Sequence, residues 1–511
     1  MHFPTIQRDF AVALAGLAGL AGLAAVAVAQ STCDLVESQT SIETYTRFQI
    51  QYTSEQSEYW STSCSNLKPS CILMPTTTDE VSAIVSILAS NDESFAIKSG
   101  GHNPNNYFAS IDGGPLISTK NLNEVILDTA AETVRVGPGN RWDEVSAALD
   151  GSGYTVVGGR IGNVGVGGYL LGGGLSFMST EYGWAVNSIL EYELVLANAT
   201  AVSVSESNYP DLFMALKGGG NNFGIVTSYL LQAYPQGDVW GGNLIFDATS
   251  EVTTAMLAAV RDFTENYDDE KAGIIVTAER TLATLVDIWV IFLYYNGPEP
   301  PAGVFDKFFD ISPFKINTCK TQSINSLLSG NNWAVVKGSV YTIGTETMPL
   351  PNEANGAEVM QKMFDHWVNV SNTAQLVPGL IASVAFQPLP KKVAQIARAK
   401  GGDLLDVDDD IDRIVLELDY SFWANASEPK VDQVMRDTYD GFRTIVEDYQ
   451  DSGLLPKDVF LPLFQNDCFY PQDYFGRLKP EKLALARRVQ AEVDPDGFWK
   501  TRTGGFKIPS D

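Results

Sequence analysis

The sequence predicts an α+β protein in two parts, and three observations carry that prediction. From Cys71 to about Tyr234, short strands and helices alternate and are joined by glycine turns. From Asp238 to Leu455 glycine thins out and long β-rich runs alternate with helical stretches. From Phe460 a further strand precedes a charged helix, Pro480–Val493, that stops at Asp494-Pro495. In the first part, Ile72-Leu73-Met74-Pro75 is a strand-like run, and Thr78-Asp79-Glu80 opens an amphipathic stretch through Leu88. Phe95-Ala96-Ile97-Lys98 is a strand leading into Ser99-Gly100-Gly101-His102-Asn103. Thr133–Val136 ends at Gly137-Pro138-Gly139, and Trp142–Leu149 is helical. In the second part the strands are Ile274–Ala278, Ile288–Tyr295, Ile381–Phe386 and Ile414–Trp423. The helices are Val252–Tyr267, Ala357–Val370 and Lys430–Tyr449. An antiparallel sheet covered by helices on one face fits this alternation. No solenoid-period repeat and no low-complexity linker interrupts it.

The first residues are expected to be removed before the mature chain folds. Arg8 precedes an apolar stretch from Phe10 to Val28, and Ala27-Val28-Ala29 is a small-x-small cleavage pattern. Residues 1–29 are therefore expected to be a signal peptide cut before Gln30, and the mature protein secreted. Three Asn-x-Ser/Thr triplets at Asn198, Asn369 and Asn425 are candidate glycosylation sites. The five cysteines all follow the leader, and Cys33, Cys64 and Cys71 cluster where a disulfide would pin the mature N-terminus. Cys33 with Cys71 is the expected pair, the sequence alone leaves the connectivity open, and the odd count leaves at least one cysteine unpaired. Net charge is −28, which repels phosphate backbones and anionic lipid, so no nucleic-acid partner is expected. No later segment is apolar enough to span a bilayer, and the mature chain is expected to be a monomer without membrane contact.

Much chemistry is excluded by residue type. After the leader only His102 and His366 remain as histidines. There is no HExxH, no paired CxxC, no GxSxG, no GxGxxG and no GxxxxGK[ST] motif. No metal site is expected. Glycine is nonetheless dense at Gly158-Gly159, Gly165–Gly168, Gly172–Gly174 and Gly218–Gly220. Glycine permits positive φ and lets amide N–H groups converge on an anion, so a phosphate-bearing cofactor is the natural occupant.

The motifs carrying these glycines are similar to a known family. Ile97-Lys98-Ser99-Gly100-Gly101-His102-Asn103-Pro104 resembles the pyrophosphate loop of vanillyl-alcohol-oxidase-type FAD proteins, closest to the berberine-bridge-enzyme-like branch and its fungal secreted members. The run Gly158–Gly168, then Leu171-Gly172-Gly173-Gly174-Leu175-Ser176, resembles the second FAD segment of that branch. Leu216–Thr227 resembles the segment that closes the FAD domain, and Asp494–Gly497 with Gly504–Lys507 is similar to the tail. The resemblance implies a PCMH-type FAD-binding domain of two α/β subdomains at 69–237. It further implies an N-terminal segment at 30–68, a substrate domain at 238–455 and a segment at 456–511 that returns to the FAD domain.

It also implies residues that contact FAD. These are Lys98, Ser99, Gly100, Gly101, His102, Asn103, Pro138, Gly139, Gly159, Arg160, Gly162, Asn163, Val164, Gly167, Gly168, Gly172, Gly173, Gly174, Tyr182, Gly183, Gly224, Ile225, Val226 and Asn466. His102 is the expected covalent tether, through the C8 methyl of the flavin. Ile161 stands where doubly tethered members carry a cysteine, so no second, cysteinyl link is expected. Val164 stands where a small side chain is associated with access of O2 to the flavin, which implies an oxidase releasing H2O2.

The base is less legible. Several members use a tyrosine where this chain has Phe464. Side chains alternate along Ile414–Trp423, so Leu416, Leu418, Tyr420 and Phe422 share one face and Glu417, Asp419, Ser421 and Trp423 the other. Glu417 or Asp419 is the candidate if the second face lines the pocket, Tyr420 if the first does, and Tyr470 is a fourth candidate. Trp289, Tyr294, Tyr295, Trp333, Tyr341 and Phe386 are candidate walls of an apolar pocket. The expected reaction is oxidation of a small alcohol, sugar, amine or phenol by O2. An oxidative cyclase or dehydrogenase, or a flavoprotein that binds without turnover, is the alternative.

Overall fold

The computed structural model describes residues 30–266, 269–281 and 286–510. The expected leader, and Tyr267 at the end of one predicted helix, lie outside the described residues.

Three sheets organise the chain. In the first, Ile72–Met74, Leu116–Ser118 and Ala96–Lys98 run parallel in that order, with Glu43–Tyr45 antiparallel at the edge. Ile72, Leu73, Leu116 and Ile117 are buried, as a parallel sheet covered on both faces requires. Helix Thr78–Ala89 packs against it, its first turn capped by the Thr77 hydroxyl accepting from the Glu80 N–H. The second sheet is antiparallel, in the order Val125–Asp128, Thr133–Val136, Ile225–Gln232, Ile189–Val195, Ala201–Ser205.

The Cys33–Cys71 disulfide is present. It ties helix Thr32–Gln39 to the start of strand Ile72–Met74 across 38 residues. The entropy of a loop that long makes the bond worth about 4 kcal/mol. A Cys33→Ser variant should therefore show faster amide hydrogen exchange across Thr32–Gln39. Unchanged exchange there would mean that packing of Val36 alone holds the helix.

The third sheet is the largest and antiparallel throughout. Its order is Ile316–Asn317, Val239–Asp247, Val286–Tyr295, Ala272–Thr281, Ile381–Leu389, Arg413–Phe422, Val340–Pro349, and Lys320–Gln322 also pairs with Val239–Asp247. Helices Ser250–Glu265, Glu353–Asn372 and Glu428–Ser452 cover one face. There Trp289, Trp367, Phe386, Leu416, Leu418 and Phe442 are buried, each worth roughly 1.5–3 kcal/mol. The other face is left for the site.

The expected strand of the tail is absent. Around Pro462 the carbonyls are taken by side chains: Thr347 Oγ1 donates to Pro462 O at 2.6 Å and Arg477 Nη2 to Leu461 O at 2.7 Å. Helix Pro480–Val493 places Ala486 and Val489 in the core of the second sheet, which also takes Val393 and Ala397 from helix Lys391–Ala399. Among the described residues no helix is long and apolar enough to cross a membrane.

Candidate active site

A cavity of about 720 Å³ lies between the helix-free face of the large sheet and the glycine-rich loops. Its loop wall starts where strand Ala96–Lys98 ends. A Cβ on Gly100 would lie 2.5 Å from Gly165 Cα, so the two backbones touch only because both residues are glycine. Gly101 turns the chain at φ +67°, and its carbonyl accepts from the Trp60 N–H at 3.0 Å. Ser99 Oγ donates to Pro138 O at 2.6 Å and accepts from the Gly167 N–H at 3.1 Å, which locks the loop to the next one. Among the described residues no backbone acceptor meets the N–H groups of Gly100, Gly101 or Asn103. A row of open amides at a glycine turn is what a pyrophosphate needs, so the loop fits the expected FAD.

His102 follows on the same wall. Its ring stacks on Trp60 at 4.5 Å, and Trp60 stacks on Tyr341 at 4.1 Å. Its Nε2 is buried without a hydrogen-bond partner. Burial, then the charges of Arg141 and Lys337, push the imidazole down to about 3, so it is neutral at any physiological pH.

The sheet supplies the opposite wall. Side chains of one face recur every second residue, and the cross-strand register sets Glu279 opposite Ser383 and Ser383 opposite Asp419. One step along, Thr277 faces Ala385 and Ala385 faces Glu417. Asp467 joins from the 3-10 turn Gln465–Asp467. All four acids line the cavity. Gln387 Nε2 donates to Glu417 at 2.8 Å and to Asp467 at 3.2 Å, and its Oε1 accepts from Arg160. Asp419 Oδ1 is buried with no partner. Burial first, then Glu417 and Glu279, hold the Asp419 carboxyl well above the usual range. Burial and then Glu417 do the same for Asp467. Burial raises Glu279, and it raises Glu417 against the pull of Arg160.

The structure brings together much of the expected set and displaces the rest. Ser99, Gly100, Gly101, His102, Asn103, Pro138, Gly159, Arg160, Val164, Gly167, Gly168, Gly172, Gly224, Ile225, Val226 and Asn466 line the cavity, as do Glu417 and Asp419. Asn466 spends its side chain on the loop, donating to Tyr169 O at 3.0 Å and accepting from the Gly174 N–H at 3.1 Å. Tyr420 is a correction. It lies on the helix side, fully buried, hydrogen-bonded to Ser371 and Thr438 at 3.0 Å each. Tyr470 is another: it is 46% exposed and bound to Asp432 and Arg436 away from the cavity.

Lys98 points under the loop, where it pairs with buried Glu55 at 2.6 Å. Gly139 packs on the carbonyls of Thr119, Lys120 and Leu122. Gly162 donates to Leu328 O, and Asn163 donates its N–H to Asn332 and offers its carbonyl to Arg141, so both turn from the cavity. Gly173 and Gly174 pack behind the wall, on Leu405 and on Tyr169 and Ala185. Tyr182 stacks on Tyr234 at 3.8 Å, and Gly183 sits against Asn187. Of the aromatic candidates Trp333 and Tyr341 line the cavity; Trp289, Tyr295 and Phe386 are helix-side core, and Tyr294 stacks on Phe177.

Trp60, Gly165, Tyr169, Glu279, Gln465 and Asp467 line the cavity without having been expected there. Glu279 had a signal, an acid two residues beyond Thr277 in a β-rich run, whereas Trp60 had none.

A family model described as "FAD binding domain" matches residues 69–205. The chain is 40% identical over 460 residues to an "Uncharacterized FAD-linked oxidoreductase" of Arthroderma benhamiae, covering 89% of this chain and 91% of that one. It is 29% identical over 498 residues to "FAD-dependent monooxygenase drtC" of Aspergillus calidoustus, covering 94% and 91%. Its fold matches berberine bridge enzyme from Eschscholzia californica with a TM-score of 0.73 at 16% identity, over 92% of this chain and 97% of that one. With the open amide loop and the glycine contacts beneath it, these likenesses establish that the chain belongs to the FAD-linked oxidoreductases, an FAD-carrying enzyme with the fold of berberine bridge enzyme.

Proposed function

We propose that this enzyme is an oxidase of a small organic molecule, that His102 tethers its FAD as the sole covalent link, and that Asp419 takes the substrate's proton. The observation that carries the reading is a pair of partnerless buried atoms in one cavity, His102 Nε2 and Asp419 Oδ1. Bound FAD supplies the two-electron acceptor and returns the electrons to O2, giving H2O2. The chain's own residues do the rest. The amides of Gly100–Asn103 hold the pyrophosphate. The neutral imidazole of His102 keeps a lone pair available for bonding carbon. Gln387, held by Arg160, fixes Glu417 and Asp467 in place and leaves Asp419 as the acceptor with an open lone pair. Ile161 lines the cavity without a thiol to offer, and Val164 lines it as the small side chain that O2 access calls for.

We also propose that the protein is exported and works as a monomer, without nucleic-acid or membrane partners. The apolar leader, the disulfide and the exposed Asn198, Asn369 and Asn425 support this reading. Anaerobic mixing with candidate substrates, followed by admission of air, tests the reaction. Bleaching of the flavin and then stoichiometric H2O2 is the expected result. Bleaching that air does not reverse would make the enzyme a dehydrogenase, and a ligand that never bleaches it would leave a binding protein.

A further inference from the structure

We propose that the substrate of this cavity is a protonated amine carried on an apolar ring. The inference rests on the oxidase reading of the same site and names the class of molecule it takes. Four acids, Glu279, Glu417, Asp419 and Asp467, line the cavity, and Arg160 is the cation set among them, already engaged by Gln387. Glu279 and Asp419 flank Ser383 on neighbouring strands, which sets their backbones about 10 Å apart, so a group seated over Ser383 is between both carboxyls.

Four carboxyls in one buried space repel one another, and each is expensive to ionise without a counter-charge. Arg160 serves Glu417 and Asp467 as a counter-charge, and an ammonium group seated over Ser383 supplies one to Glu279 and Asp419, which have none among the described residues. A neutral hydroxyl relieves none, and an anion adds to the repulsion. The remaining walls suit the rest of such a molecule. Phe292, Tyr341 and Trp333 line the cavity and supply aromatic surface on which an apolar ring packs. At the rim, Trp423 is 72% exposed although it lines the cavity, and its indole lies so close on Gly379 that any Cβ there would clash with it. An exposed tryptophan propped at a cavity mouth is a platform for a ring that extends outward.

The reaction balances. The ammonium gives one N–H proton to Asp419, and the free amine then loses its α-hydrogen with the electron pair to the bound FAD as the nitrogen lone pair forms the C=N bond. With O2 as final acceptor, one primary ammonium ion and one O2 become one iminium ion and one H2O2. The two hydrogens and two electrons that leave the carbon–nitrogen unit are those that the peroxide gains, and the positive charge stays on nitrogen.

The test is anaerobic titration of the holoenzyme near neutral pH with benzylamine, benzyl alcohol and benzoate, molecules matched in size and differing in charge. Binding is read from the flavin absorbance. Benzylamine should bind about tenfold tighter than benzyl alcohol, the worth of one charge-assisted hydrogen bond, and benzoate should not bind. Glu279→Gln should weaken benzylamine by about the same factor and leave benzyl alcohol within about twofold, which also controls for folding. The proposal is overturned if the alcohol binds as well as the amine, if benzoate binds, if none of the three binds, or if Glu279→Gln weakens amine and alcohol alike. Flavin reduction and H2O2 from an alcohol or polyol but not from an amine would sink the amine assignment and leave the oxidase reading standing. Reduction by the amine without H2O2 in air would do the reverse.

Discussion

An Asp419→Asn variant should reduce its flavin about 10² to 10⁴ times more slowly than the wild type, the range spanned by loss of one positioned base. Asparagine keeps the shape of the side chain and removes only its capacity to take a proton. Burial, then Glu417 and Glu279, raise the Asp419 carboxyl well above its ordinary range. The competent form is the carboxylate, so the wild-type reduction rate should climb with pH through that raised value. The climb should vanish in the variant. Rapid-mixing absorbance under anaerobic conditions measures both. A variant that keeps the wild-type rate and pH profile would move the role to Glu417.

The same substitution should raise the melting temperature. A carboxyl whose folded pKa lies above its unfolded value contributes stability that is complete below the unfolded value, near about pH 4, and lost as pH rises through the folded value. At neutral pH the ionisable Asp419 therefore costs stability, and the asparagine does not. The gain should grow as pH rises from about 4 towards the raised folded value and disappear at about pH 4 and below, where the wild-type carboxyl is protonated in both states. Slower chemistry in a more stable protein is the signature of a residue kept for function.

Acid precipitation of the wild-type protein should give a yellow pellet, and His102→Ala should give a colourless pellet under a yellow supernatant. Essentially all of the flavin changes phase, because one covalent bond decides it. The imidazole is poised for that bond: held down to about 3, it is neutral, and its Nε2 is buried with no partner to satisfy. Cys64 and Cys468 are buried but do not line the cavity, so neither thiol is placed to substitute. A colourless wild-type pellet would remove the tether and leave His102 as a stacking partner of Trp60. Yellow pellets from both proteins would place the bond on another residue.

The glycine motifs were legible because their reason is local. Gly100 and Gly165 must be glycine wherever two backbones pass within reach, and Gly101 must be glycine where φ is positive. Those constraints are written in consecutive residues and survive any detail of the tertiary fold. The same motifs overreached at Gly139, Gly162, Gly173 and Gly174, which serve backbone packing behind the wall and not the cavity. A glycine run shows that backbones come close. It does not say on which side.

By itself the sequence determined the α+β class, the loop that presents His102, the missing thiol at Ile161, and the alternation that puts Glu417 and Asp419 on one face and Tyr420 on the other, whereas the pairing of Cys33 with Cys71 was settled by the structure. Only the tertiary structure decided which face meets the cavity. Helices Glu353–Asn372 and Glu428–Ser452 cover the Tyr420 side, and the first of them supplies Ser371 and the second Thr438 to its hydroxyl. It also brought Trp60, Glu279 and Asp467 to a site assembled from segments hundreds of residues apart. The division has a physical cause. Backbone conformation and side-chain periodicity are set by neighbours in the chain, whereas burial of a face and the gathering of like charges depend on which distant surface is packed against it.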